Sequence, residues 1–130
     1  MTFDNLNLLN QAMNASDLRQ KTISNNISNI NTPNYKVERV IFEDKLRNAN
    51  NDSVLGLNRT DVKHLFINSV GSNKLEPEVV RRTNTSVKDN GNNVDLDYEM
   101  SEKAVNELYY SALQRQVNHE LSQLNYVISH

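Results

Sequence analysis

The sequence predicts a mainly α protein in which long N- and C-terminal helices pair as an antiparallel, coiled-coil-like hairpin around a small irregular or β-containing middle segment. Three observations predict it. Apolar residues recur at alternating intervals of three and four near both ends of the 130-residue chain, which is the period of a helical stripe. Neither Pro nor Gly interrupts the chain from Val94 to His130, so nothing there breaks a helix. Only 37% of residues are hydrophobic, with three Phe and no Trp. That is a poor supply for a deep globular core, so the stripes are expected to bury against each other or against other subunits. The chain divides into an N-terminal helix and turn over 1–36, an irregular middle with short strands over 37–93, and a C-terminal helix over 94–130, read as one assembly unit.

In the first segment, Leu6, Leu9, Met13, Ser16, Gln20, Ile23, Ile27 and Ile30 fall at the a and d spacing of a coiled-coil seam, and Met1 to Asn31 reads as one helix. Ser16 and Gln20 are polar seam positions, which weaken a coiled coil but can fix its register. Ala12 and Ala15 allow close helix approach. Lys21 complements the helix dipole. An ordinary amphipathic helix would leave the same periodicity. The turn Asn31-Thr32-Pro33-Asn34-Tyr35 follows. Pro33 lacks an N–H and pushes Thr32 out of the α region, ending the helix, and Asn34 stands where positive φ is needed.

Tyr35 to Asn48 begins extended, and Phe42 to Leu46 can form a helical turn. Asn48 to Ser53 and Val70 to Asn73 read as loops, because Asn, Asp, Ser and Gly compete with regular backbone pairing. Val62 to Ile67 holds the only apolar concentration between them. Val79 to Thr83 and Thr85 to Lys88 are rich in β-branched residues and read as short strands or one irregular ribbon.

Asn90-Gly91 then makes a turn, and Asp95 or Asp97 is placed to cap a helix by accepting its first free N–H groups. Asp97, Glu99 and Glu102 crowd the positive end of that helix. Capping and dipole effects account for these carboxylates without a cation site. Val105, Tyr109, Leu113, Val117, Leu121, Leu124 and Ile128 recur every three or four residues, with Leu108 and Ala112 widening the stripe. At ~1.5 Å per residue the helix runs on the order of 50 Å, too long for a small core to cover alone.

Two strings carry a resemblance. Ser24-Asn25-Asn26-Ile27-Ser28-Asn29-Ile30-Asn31-Thr32-Pro33-Asn34-Tyr35-Lys36 resembles the SNNIANxNTPGYK signature of bacterial flagellar rod, hook and related axial proteins, with Asn34 for the usual Gly and Ser28 for the usual Ala. Asn90 to Met100 resembles DGNNVDLDKEM, an element that marks proximal rod subunits within that family. Here one extra Asn separates Asp89 from Gly91, and Tyr98 stands where Lys is common. Arg59 to Leu65 looks like a degenerate Thr/His motif of the same proteins. The resemblance implies a structural subunit of the proximal rod of the flagellar basal body, self-assembling through its terminal helices into a tubular drive shaft. It further implies export by the flagellar apparatus without a cleaved signal peptide. Its expected partners are copies of itself, other rod and basal-body proteins and the export apparatus. The expected assembly interface comprises Leu6, Leu9, Met13, Ile23, Ile27, Ile30, Leu113, Val117, Leu121, Leu124 and Ile128.

Other classes find little support. Net charge is −2 with both signs mixed, so nucleic acid is not an expected partner. No cysteine is present, which removes disulfides and thiolate metal sites. His64, His119 and His130 belong to no metal-spacing motif, and neither a phosphate loop nor a nucleophile elbow occurs. His64 lies three residues after Asp61, where a local turn explains the pair better than general-base chemistry. No enzymatic activity, cofactor, metal or small-molecule substrate is expected. The competing reading is a helical adaptor that does not polymerise and binds one partner helix through the Ile23, Ile27 and Ile30 face, since helix-in-groove binding leaves the same stripe.

Overall fold

The computed structural model describes residues 3–55, 75–83 and 88–129. Its elements are α1 (Phe3–Ser28), β1 (Glu38–Ile41), α2 (Glu43–Leu55), β2 (Glu78–Arg81) and α3 (Leu96–Ser129). The two long helices pack against each other antiparallel, with Asn26 of α1 meeting Glu99 and Ser16 meeting Asn106. Strands β1 and β2 form an antiparallel ribbon in the register Glu38 with Arg81 through Ile41 with Glu78, and the ribbon lies against α1. The expected hairpin and small β-containing middle are therefore both present.

Helix α1 carries many Ser, Thr and Asn residues, and some bond back within the helix. The Thr22 hydroxyl donates to the Leu18 carbonyl at 2.8 Å, and the Ser28 hydroxyl to the Ser24 carbonyl at 2.8 Å. Lys21 pairs with Asp17 one turn earlier at 2.8 Å, an i,i+4 contact of modest value.

The apolar core is small. Ala12 and Ala15 leave room on α1 for Phe42, and Leu46, Leu75 and Leu113 close around these three. Ile23, Val37 and Val94 are buried as well.

Two expectations are corrected. Asn48 to Ser53 is not a loop, because α2 runs through it. Burial of Phe42 and Leu46 anchors the start of α2, whose Leu46 N–H donates to the Phe42 carbonyl at 2.9 Å. Glu43 and Asp44 favour its positive end, and ion pairs tie Glu43 to Arg19, Lys45 to Glu78 and Arg47 to Asp44. This anchoring outweighs the weak helix propensity of Asn and Asp. Nor does α1 reach Pro33, since it ends at Ser28. The strand at Val79 falls within β2, as expected. Val62 to Ile67, Val70 to Asn73, the Arg59 to Leu65 motif and His64 lie outside the described residues, as do residues 84–87.

Candidate assembly interface

The two strings that carry the family resemblance fold onto each other. Asn92 is fully buried, and its amide nitrogen donates to the carbonyls of Asn29, Ile30 and Thr32 at 2.9, 3.1 and 2.8 Å. These carbonyls belong to the turn that follows the end of α1 at Ser28, and those of Asn29 and Thr32 also accept from the backbone N–H groups of Thr32 and Tyr35. The Asn92 side-chain oxygen accepts from Val94 N–H at 2.8 Å. Lys88 adds a cation at the same place, its ammonium donating to the Ile30 carbonyl at 2.8 Å. The last turn of α1 holds no basic residue of its own, so Lys88 supplies the charge that its dipole favours. Asn29 helps stop the helix earlier than Pro33 would, because its side chain donates back to the Asn25 carbonyl at 2.8 Å. Asn34 takes φ 59° and Gly91 φ 79°, the left-handed conformations that Asn and Gly tolerate. The Asn34 N–H donates to the Asn90 carbonyl at 3.0 Å, stitching the two turns together.

Asn26 organises the next layer. Its side chain bonds Glu38 in both directions, accepting from the backbone N–H at 3.0 Å and donating to the carbonyl at 2.9 Å. It also donates to Glu99 at 3.1 Å and accepts from the Tyr35 hydroxyl at 3.1 Å. Glu99 is fully buried and paired with Arg39 through both carboxylate oxygens, at 2.5 and 3.1 Å. The Arg39 guanidinium also stands 5.1 Å from the centre of the Tyr98 ring, within cation–π range. Asn93 bridges the ribbon: Val37 N–H donates to its side-chain oxygen at 2.6 Å, and its amide donates to the Arg82 carbonyl at 3.1 Å. Burial lifts the Tyr35 phenol above its ordinary value of 10.0, Glu38 and Glu99 add to the rise, and Arg81 opposes it. Arg81, for which the sequence suggested no role, pairs with Glu38 at 2.6 Å.

Farther along, the Ser16 hydroxyl donates to the side-chain oxygen of Asn106 at 2.9 Å. The Asn106 amide returns bonds to the Ser16 carbonyl and to Gln20, each at 3.0 Å. The seam between the helices is thus hydrogen-bonded at its centre. Every buried side-chain polar atom among the described residues has a partner, the condition under which a buried polar network is stabilising.

The expected interface residues scatter across this arrangement. Ile23 is buried in its own chain. Leu6, Leu9, Met13, Ile27, Ile30, Leu113, Val117 and Leu124 are half-buried, and Leu121 and Ile128 are exposed. In the turn, Asn31, Thr32, Pro33 and Asn34 are exposed and Tyr35 is half-buried. Asp95 caps α3, accepting from the N–H groups of Asp97 and Tyr98 at 3.1 and 3.4 Å, while Asp97 is exposed in the first turn. Glu99 lies in the first turn of α3, as expected, and there it is also the buried ion-pair partner of Arg39. Val105 and Leu108 of the expected stripe also face solvent. Glu99, Asn106 and Glu120 are buried on α3, and Tyr109, Leu113, Val117 and Leu124 are among its half-buried positions. The signal that could have located this face is the spacing of Glu99, Asn106, Leu113 and Glu120 at intervals of one heptad. A pattern built only on apolar residues passes over it.

Comparison with known proteins matches residues 6–36 to the family described as flagella basal body rod protein. That span covers most of α1 and the whole turn. Over nearly its full length the chain is similar to flagellar basal body rod protein FlgB of Bacillus subtilis (strain 168), at 39% identity over 121 residues, 93% of this chain and 90% of the relative. It is also similar to the proteins of that name from Borreliella burgdorferi, at 34% over 115 residues and 85% of each chain, and from Borrelia hermsii, at 32% over 127 residues, 95% of this chain and 94% of the relative. At these identities over most of both chains, the chain belongs to the FlgB family of flagellar basal body rod proteins.

Proposed function

We propose that this protein is a structural subunit of the proximal rod of the flagellar basal body, assembling through its terminal helices with copies of itself and other rod proteins into a tubular drive shaft. The observation that carries the reading is the division of labour along α3. Its polar side is locked to α1 by Asn26, Ser16, Asn106 and Glu99, while Val105, Leu108, Leu121, Val127 and Ile128 are exposed to solvent. A 34-residue helix presenting that much apolar surface favours burial against neighbours. The adaptor reading draws less support, because Ile23 is already buried within the chain and Ile27 and Ile30 are half-buried.

Basal-body location follows from the rod role, and export without a cleaved signal peptide belongs to the same proposal. No helix among the described residues is long and apolar enough to cross a membrane. Electron microscopy of cells lacking the protein tests the function. Basal bodies without a rod are expected, and complete rods in the deletion strain would refute it.

A further inference from the structure

Asn90 and Gly91 form the only Asn-Gly pair in the chain: Gly56 follows Leu55, Gly71 follows Val70, and Gly91 alone follows an Asn. In such a pair the Gly backbone nitrogen can reach the side-chain amide carbon of the Asn, because the Gly carries no Cβ to stand in the way. Every other Asn is followed by a residue with a side chain. Asn90 is exposed and Gly91 half-buried, so water has access to the pair.

In the closed clamp the groups that this attack needs are engaged. The nucleophile, the Gly91 N–H, donates to the Lys88 carbonyl at 3.0 Å. The Asn90 side-chain oxygen accepts from Asn92 N–H at 3.1 Å, an Asx turn that fixes the direction of the amide. The Asn90 carbonyl accepts from Asn34 N–H at 3.0 Å, and the Gly91 carbonyl takes the Lys36 ammonium at 2.6 Å. Attack requires the Gly91 nitrogen to give up its proton and the Asn90 backbone to turn, which breaks several of these bonds at once.

We propose that Asn90 is a site of spontaneous deamidation, protected while the clamp is closed and reactive when it opens. The Gly91 nitrogen loses its proton to solvent base and bonds to Cγ of Asn90. The Cγ–Nδ2 bond breaks, and the amide nitrogen takes up a proton and leaves as ammonia, giving a five-membered succinimide. Water then adds to either ring carbonyl. One opening restores the main chain and leaves an aspartate; the other routes the main chain through Cβ and Cγ as an isoaspartate. The two products differ in effect. An aspartate at this position still accepts from Asn92 N–H, with the Lys36 ammonium on the next carbonyl. An isoaspartate lengthens the main chain by one carbon and removes from it the carbonyl that holds Asn34 N–H. Asn92 then loses its register on the carbonyls of Asn29, Ile30 and Thr32. Modification makes opening of the clamp one-way. The inference goes beyond the rod reading and does not depend on it.

The full chain is aged at mildly alkaline pH in buffer, with circular dichroism to verify the fold, and in parallel in guanidinium chloride that unfolds it. Peptide mapping by mass spectrometry locates each Asn whose amide has become a carboxyl, and an isoaspartyl methyltransferase labels the isoaspartate. Asn90 is expected to be the first Asn lost in the unfolded chain, and to be lost at least about tenfold more slowly in buffer, since only the fraction with an open clamp reacts. Asn90→Gln, whose longer side chain closes a ring far less readily, should abolish the label at this position. Another Asn reacting first in the unfolded chain would overturn the site, and equal rates in the two conditions would overturn the protection. Refolded chains carrying isoaspartate should melt below Asn90→Asp; an equal Tm would overturn the one-way effect on the clamp.

Discussion

Replacing Asn92 should unfasten the end of α1 from the start of α3. In Asn92→Ala the carbonyls of Asn29, Ile30 and Thr32 lose a shared donor and Val94 N–H loses its acceptor. The groups are not equivalent. Val94 is buried, so its orphaned N–H carries a desolvation penalty of about 1–3 kcal/mol. Asn29 is half-buried and Thr32 exposed, so water can replace much of what those carbonyls lose, at about 0.5 kcal/mol each. Ile30 keeps the Lys88 ammonium. The total is about 3 kcal/mol, a large fraction of the roughly 5–15 kcal/mol that holds a typical domain. For a chain of this size that lowers Tm by about 10 °C. Asn92→Asp should be worse despite its identical shape, because it presents an anion to three carbonyls. Urea and thermal unfolding followed by far-UV circular dichroism measure both variants. A loss below about 1 kcal/mol for Asn92→Ala, or Asn92→Asp more stable than Asn92→Ala, would refute the clamp argument.

Arg39→Ala should cost about 3–5 kcal/mol by leaving Glu99 buried and unpaired, and adding Glu99→Gln to it should recover part of that loss in the same unfolding assay. Gly91→Ala should lose about 1–2 kcal/mol, since φ is 79° and the new Cβ would stand 2.7 Å from the Asn34 side-chain oxygen; Asn34→Gly should change Tm little. A raised Tyr35 pKa stabilises the fold below the unfolded value of 10.0 and loses that contribution as pH rises through the folded value; Tyr35→Phe should therefore flatten the alkaline limb of the stability curve above about pH 10. Hydrogen exchange on the dilute monomer should show strongest protection over 22–28 and 94–106, where the clamp lies, and weaker protection toward the start of α1. Uniform protection along α1 would contradict that gradient.

The two long helices were legible from their apolar periodicity and, for α3, from the Asp95 cap, although α1 ends at Ser28, short of Pro33. Asp95, the unbroken run after Val94 and the positive φ of Asn34 each follow from local chemistry and appear as expected. The clamp was not legible, for two physical reasons. With 22 Asn in the chain, Asn26, Asn92, Asn93 and Asn106 look no different from loop-forming neighbours until tertiary contacts give each amide its partners. Ser16 and Gln20 stood out as polar seam positions, but their partner Asn106 lies 90 residues from Ser16, beyond any local pattern. The same limit explains α2, whose Asn-rich stretch is helical because Phe42 anchors its start. It also explains Glu99, whose position in a first turn says nothing of Arg39 waiting across the fold.

The hydrogen-bonded seam has a mechanical consequence. Apolar side chains in a helix interface can slip past one another and find new contacts of similar energy. Asn106 cannot, because its amide meets the Ser16 hydroxyl and carbonyl and Gln20 together, and Asn92 meets three carbonyls at one helix end. Shear of α3 along α1 by a single turn of ~5.4 Å would strand those groups at once. A load applied along one helix is therefore passed to the other through bonds of fixed direction, making the pair a stiff strut.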